Sequence, residues 1–226
     1  MFYMDWTYIL VLIGMGIVMF AQNRVQSTFN KYDQLDTEKR ITGKQAAEHI
    51  LQTAGISNVK VEQVRGRLTD HYDPRNKVLR LSEATYDQTS VAAVAVAAHE
   101  VGHAIQDQKD YAFLKVRSAI APVVQIGSSI AMPLILIGLL FQLTGLVNIG
   151  ILAFGLVVVF QLVTLPVEFD ASKRALAILG ETGVFVQEEV PAAKKVLDAA
   201  AFTYIAATLS TALQLIRLIL ISNRRR

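Results

Sequence analysis

Four stretches of this chain are long, apolar and nearly free of charge, and they restrict its fold more than any other feature. A helix needs about 20 apolar residues to cross the hydrocarbon core of a bilayer, with roughly 17 as a lower limit. Thr7 to Ala21 reads TYILVLIGMGIVMFA and reaches that length when counted from Phe2 or Tyr3. Residues from about Ala119 to Leu143 are apolar apart from Gln125, Ser128, Ser129 and Gln142. Gly145 to Asn148 form a short uncharged turn, and Ile149 to Leu165 are again apolar apart from Gln161 and Thr164. Ala199 to Ser222 is the fourth stretch, interrupted by Gln214 and Arg217. Lipid offers no partner to backbone N–H and C=O groups, so spans of this kind are helical and the middle two read as a hairpin. The expected fold is a mainly α membrane protein, with about four apolar helices and a small α+β polar insert.

The first stretch competes with a cleaved signal peptide. That would begin with basic residues and end at a small-residue cleavage site. This chain begins MFYMDW, without Lys or Arg. A retained transmembrane helix is the expectation, with Trp6 and Tyr8 near one interface and Gln22-Asn23-Arg24 at the other. Arg24, Lys31, Lys39 and Arg40 follow it and nothing basic precedes it. The positive-inside rule then makes the polar insert cytoplasmic, in a multi-pass protein of the cell membrane. The fourth stretch conflicts with the rule: if it spans, Arg224 to Arg226 lie outside, whereas a tilted or embedded helix keeps them inside. Those arginines otherwise suit lipid headgroups.

The polar insert is mixed in charge. Thr42-Gly-Lys-Gln45 has the form of a capping box opening a helix through Ala46, Ala47, Ile50 and Leu51, with Gly55 ending it. Val59 to Val64 reads as a short strand, Asp70 to Arg75 as a turn around Pro74, and Asn76 to Ser82 as a second strand. The edge of that second strand could pair with an extended peptide substrate. Alternatively, the strands form a small hairpin that covers the following helix. Asp87 to Ser90 supply N-cap candidates for a helix running to about Gln108.

That helix carries His99-Glu100-Val101-Gly102-His103, an H-E-x-x-H pattern. Residues four apart lie one turn above each other on one helix face. His99 and His103 can therefore offer two imidazole nitrogens to one zinc ion, with Glu100 beside them as general base. The pattern could also be a solvated face. Against this, it follows the apolar run Ser90 to Ala98, Gly102 interrupts it as a mark of close packing, and two of the chain's four histidines fall in register. There is no cysteine, so a zinc site must use His, Asp and Glu, which suits a catalytic site. A net charge of +3 without a basic block gives no footprint for nucleic acid.

A catalytic zinc takes three protein ligands and keeps one position open. A metzincin would place a third histidine six residues on, where this chain has Lys109. His49 and His71 lie upstream, and His49 reads as a surface residue. Past Pro166 the polarity switches, and the helix continues through Ala175 to Leu179 and stops at Gly180. A membrane hairpin returns the chain to the side it left, which makes Glu168 the first candidate ligand. Asp170 is the next, as ligand or as partner to a ligand histidine. An interfacial carboxylate near Lys173 and Arg174 is the plain alternative for Glu168. Pro191 suits the first turn of a further helix, Ala192 to Asp198, leading into the fourth apolar stretch.

The set DHYDPRNKVLRLS, AAVAVAAHEVGHAIQ and LPVEFDASKRA resembles the bacterial membrane zinc metallopeptidase family that includes the YugP-like proteins. The resemblance covers essentially the whole chain. A weaker likeness is to the HtpX and CAAX-prenyl protease group, whose glutamate ligand sits in an E-x-x-A-D setting. Glu168-Phe-Asp-Ala-Ser172 matches its glutamate and alanine and departs at Ser172. The implied activity is a membrane-anchored zinc metalloendopeptidase acting through zinc-activated water, with metal ligands His99, His103 and Glu168. Glu100 would take the water proton and pass it to the leaving amine. His71, Tyr72 and Arg80 are candidate donors to the oxyanion. The weaker likeness implies membrane-protein quality control.

A site-2 type intramembrane protease is disfavoured, because Asp87-Gln-Thr-Ser90 and Gln106-Asp-Gln-Lys-Asp110 bracket too short an apolar run. A zinc-binding membrane scaffold without activity is the other reading, although structural zinc needs no general base such as Glu100. The expected partners are a protein or peptide substrate and the bilayer. The expected division is a transmembrane helix over 1–22, an α+β insert with the H-E-x-x-H helix over 23–116 and a hairpin over 117–165. A helical segment with the third ligand follows over 166–200, then an apolar helix and basic end over 201–226.

Overall fold

The computed structural model describes residues 5–223. The opening MFYM and the arginines 224–226, invoked above for the first span and for headgroup contact, lie outside the described residues. The described residues form six helices and three short strands. In order these are α1 (Tyr8–Asp33), α2 (Gly43–Thr53), β1 (Lys60–Val64), β2 (His71–Asp73), β3 (Val78–Ser82), α3 (Val91–Gln108), α4 (Ala112–Leu140), α5 (Thr144–Glu181) and α6 (Val190–Asn223). The protein is mainly α, and α1, α4, α5 and α6 are each long and apolar enough to cross a membrane. The chain divides into two compact units, one of Met1–Gln22, Lys115–Leu165 and Thr203–Arg226, the other of Asn23–Leu114 and Pro166–Phe202.

The first unit turns large aliphatic side chains outward. Leu12, Met19, Val123, Ile126, Leu140 and Leu152 are exposed, with Leu140 at 75% and Leu152 at 71%. Water would disfavour so much contiguous apolar surface, whereas a bilayer solvates it. Contacts inside the unit rely on small residues, as in other membrane helix pairs. A Cβ added at Gly150 in α5 would lie 2.9 Å from the Ala131 carbonyl oxygen in α4, so glycine lets the two arms of the hairpin meet. A Cβ at Gly14 in α1 would lie 2.7 Å from Ser210 Oγ in α6. The Arg217 guanidinium of α6 stacks 4.1 Å from the Tyr8 ring centroid. Earlier residues of α1 therefore meet later residues of α6, and the two helices run antiparallel. The fourth apolar stretch is one helix laid along the first.

The second unit is an α+β domain. Thr42 Oγ1 accepts from Gln45 N, and Gln45 Oε1 accepts from Thr42 N, closing the capping box of α2. The sheet order is β1-β3-β2, with β1 parallel and β2 antiparallel to β3. Two expectations change here. The segment read as a turn over Asp70–Arg75 contains β2, because His71, Tyr72 and Asp73 pair with Arg80, Leu79 and Val78. The turn begins at Asp73, whose Oδ1 accepts from the backbone of Arg75 and Asn76. The strand preceding the H-E-x-x-H helix is also central, so neither of its edges is open to a peptide. β2 and β3 instead form the hairpin that lies by the helix, where the Tyr72 hydroxyl donates to Asp107 Oδ2 at 2.6 Å.

Helix α3 runs through the core of this unit. Ser90 caps it, its hydroxyl accepting from Ala93 N at 3.1 Å and donating to Asp33 at 3.0 Å. Ala92, Ala93, Val94, Ala95 and Ala97 are fully buried, among a core that includes Ala46, Ile50, Leu79, Leu81, Leu179 and Leu197. Small side chains on α3 allow this crowding on several sides at once.

Candidate active site

The buried run of α3 fixes the register of the residues that follow it. His99 and His103 project one turn apart, their ring centroids 4.8 Å apart and nearly perpendicular. Helix α5 brings Glu168 to the same place. Glu168 Oε2 lies 3.3 Å from His99 Nε2 and 3.6 Å from His103 Nε2. The three ligand-type atoms lie within 4.8 Å of one another, and Glu168 is 2% exposed. The close approach of α3 and α5 depends on Gly102. A Cβ there would sit 2.5 Å from the Ala171 carbonyl oxygen, well inside van der Waals contact.

These distances suit a metal. Atoms bound tetrahedrally at about 2.0–2.1 Å from one zinc ion are about 3.3 Å apart. Two imidazoles and one carboxylate are also the donor set of many catalytic zinc sites, which leave a fourth position open. The group His99, His103 and Glu168 is thus one that could hold such an ion.

The remaining ring nitrogens have partners of their own. His99 Nδ1 lies 3.1 Å from Ser172 Oγ, and His103 Nδ1 lies 3.0 Å from Gln106 Oε1. Gln106 Nε2 donates to the Val167 carbonyl and to Asp170 Oδ2, both at 2.8 Å. Asp170 also accepts from Arg174 Nε at 2.6 Å. Asp170, an alternative ligand on sequence grounds, therefore reaches His103 only through Gln106. Ser172, the position that departs from the E-x-x-A-D pattern, faces His99.

Glu100 is buried beside the pair of histidines. Burial pushes its carboxyl above the ordinary glutamate range, against the pull of His99 and His103. A carboxyl raised in this way is suited to accept a proton and return it near neutral pH. Burial also disfavours a charge on His103, but its hydrogen bond and Coulombic attraction to Glu168 outweigh that and raise its pKa.

The three candidate oxyanion donors are engaged elsewhere. Tyr72 donates to Asp107, Arg80 pairs with Asp73 at 3.4 Å and Glu62 at 3.7 Å, and His71 Nδ1 is 2.9 Å from the Thr69 carbonyl. His49 is exposed on α2. Gln106 and Ser172 carry no sequence signal beyond spacing. Gln106 is three residues after His103, one helical turn, and Ser172 is four after Glu168.

The comparisons with known proteins point the same way. The family described as "Putative neutral zinc metallopeptidase" matches residues 7–223. "Putative membrane protease YugP" of Bacillus subtilis (strain 168) is 44% identical over 212 residues, 94% of each chain. No solved structure matches. Matched over nearly its whole length on both counts, the chain belongs to this YugP-like family, whose description is "Putative neutral zinc metallopeptidase".

Proposed function

We propose that this protein is a membrane-anchored zinc metalloendopeptidase whose metal ligands are His99, His103 and Glu168 and whose general base is Glu100. The observation that carries the proposal is the convergence of those three ligand atoms within 4.8 Å, next to a buried Glu100. Zinc, when bound, supplies a Lewis acid that polarises the scissile carbonyl and makes water acidic enough to attack near neutral pH. The chain does the rest. Helix α3 fixes the spacing of His99 and His103, and α5 closes the set with Glu168. Glu100 takes the proton of the attacking water and returns it to the leaving amine, a role its raised pKa supports. The substrate is a protein or peptide.

The test is cleavage of an unfolded protein by the purified, zinc-loaded enzyme in detergent, beside Glu100→Gln. The amide keeps the shape of the carboxyl but cannot take the proton. The variant should hold as much zinc as the wild type and cleave roughly 10²–10⁴-fold more slowly. Equal cleavage by both would remove Glu100 from the chemistry. No cleavage by either, with zinc bound, would favour a zinc-binding scaffold.

The site faces the cytoplasm in this proposal. Arg24, Lys31, Lys39 and Arg40 follow the apolar part of α1 and favour that side for the second unit. The antiparallel α6 then returns its end to the side on which α1 starts. Having no cysteine, the chain lends itself to single-cysteine labelling. Ser57→Cys should react with an impermeant thiol reagent only after cells are opened, and Thr144→Cys, at the start of α5, should react in intact cells. The reverse pattern would invert the topology.

A further inference from the structure

We infer that Gln106 is a positioning residue for the metal site: its side-chain carbonyl holds the proton of His103 on Nδ1 and so turns the Nε2 lone pair toward the metal, while α5 holds the amide in that orientation. The inference rests on the zinc reading given above.

An amide has a donating end and an accepting end, and its neighbours decide which faces where. On one side Gln106 meets the Val167 carbonyl oxygen and Asp170 Oδ2, both at 2.8 Å. A carbonyl oxygen accepts only. The Asp170 carboxylate is engaged by Arg174, which donates only. Both contacts therefore require the NH₂ group, and its two hydrogens are used. The amide oxygen is left facing His103 Nδ1 at 3.0 Å. That oxygen cannot donate, so Nδ1 must carry the hydrogen. A neutral imidazole protonated at Nδ1 has its lone pair at Nε2, the atom 3.6 Å from Glu168 Oε2.

Gln106 is fully buried, so water does not substitute for any of these partners. The two bonds it donates join α3 to α5 within two residues of Glu168, and the one it accepts stays within α3. The two histidines are thus held differently. Ser172 beside His99 is a hydroxyl, which can donate or accept and imposes no tautomer. Gln106 imposes one.

The experiment measures zinc affinity by chelator competition on the full-length protein in detergent, together with the melting temperature of the zinc-free form. Gln106→Met keeps an unbranched side chain of similar length and removes the acceptor. It should weaken zinc binding roughly 10–100-fold. Gln106→Glu keeps an oxygen facing Nδ1–H but sets its other oxygen against the Val167 carbonyl and Asp170, so it should bind zinc more tightly than Gln106→Met while lowering the zinc-free melting temperature. The zinc-free melting temperatures of the two variants should not follow that order. Zinc binding by Gln106→Met equal to wild type, or equal loss in both variants, would overturn the inference. Should Gln106→Met fail to fold, Gln106→Glu decides alone, and a loss beyond about tenfold in a variant whose zinc-free melting temperature equals that of the wild type would overturn it. A wild-type protein that takes up no zinc would instead remove the zinc reading, and this inference with it.

Discussion

Val91–Ala98 in α3 and Ile149–Leu165 in α5 are both uncharged and apolar, yet they meet opposite surroundings. In α3 the run is mostly alanine and nearly all of it is buried, with five residues at 0% exposure. In α5 it is mostly leucine, isoleucine, valine and phenylalanine, and Leu152 is 71% exposed. Small side chains let protein pack around a helix on several sides, and large ones cover a helix that lipid surrounds. Length separates them as well. At about 1.5 Å per residue, the eight-residue run of α3 extends only about 12 Å, too short to cross the core of a bilayer. Both runs end just before a metal-type ligand, His99 in one and Glu168 in the other. In each helix the candidate metal ligand lies beyond the apolar part.

The sharpest stability test of this contrast removes the same side chain from each environment. Leu79 on β3 is fully buried in the core around α3, and Leu79→Ala should cost about 2–5 kcal/mol through lost burial and the cavity left behind. Leu152→Ala on α5 removes a side chain that already faces outward and should change stability by less than about 0.5 kcal/mol. Denaturant unfolding in one detergent measures both. Similar losses would mean that the outward face of α5 is packed by protein, and the division into lipid-facing and protein-facing apolar runs would fail.

Gly102→Ala comes next in size and links packing to the site. The new methyl would meet the Ala171 backbone carbonyl at 2.5 Å, and backbone yields less readily than a side chain. Overpacking of this kind costs about 1–3 kcal/mol. Ala171 lies between Asp170 and Ser172, so a shift of α5 there also moves Ser172, which faces His99, and Asp170, which holds the Gln106 amide beside His103. The variant should therefore lose zinc affinity as well as stability. Loss of stability with zinc affinity intact would show that the site tolerates a displaced α5.

The sequence makes local features legible and leaves long-range pairings hidden. The Thr42 capping box, the Ser90 cap and the helical register of His99 and His103 depend on residues within one or two turns, and such patterns can be read directly. The four apolar helices follow from length and hydropathy. That Glu168 can reach the histidines follows from topology alone, because a hairpin must come back. β2 escaped because three residues starting at His71 have no period to detect; their pairing with β3 makes them a strand. The central place of β3 escaped for a related reason, since strand order depends on a crossover from β1 that no local signal encodes. Gln106 looked like part of a polar bracket after the motif. Its partners are Val167 and Asp170, some sixty residues later, and only the fold brings them together.

The smallest effect belongs to the glycines of α1, and it tests what surrounds that helix. Gly14 faces Ser210, whose hydroxyl can rotate but whose Cα would lie 3.2 Å from a new methyl, so Gly14→Ala should be mildly destabilising. Gly16 is two residues on and meets nothing within 4 Å. In a water-exposed helix, replacing glycine by alanine would gain about 0.5–1 kcal/mol, because the unfolded chain loses backbone freedom. In a bilayer that gain shrinks, since a span separated from its neighbours remains helical. Gly16→Ala should therefore shift unfolding by less than about 0.5 kcal/mol in either direction. Met15, Met19 and Leu12 lie exposed on the same helix, which fits a face that only lipid touches. If Gly16→Ala were as damaging as Gly102→Ala, that face of α1 would be covered by another protein surface. The outward apolar residues of the first unit would then be partly interface rather than lipid contact.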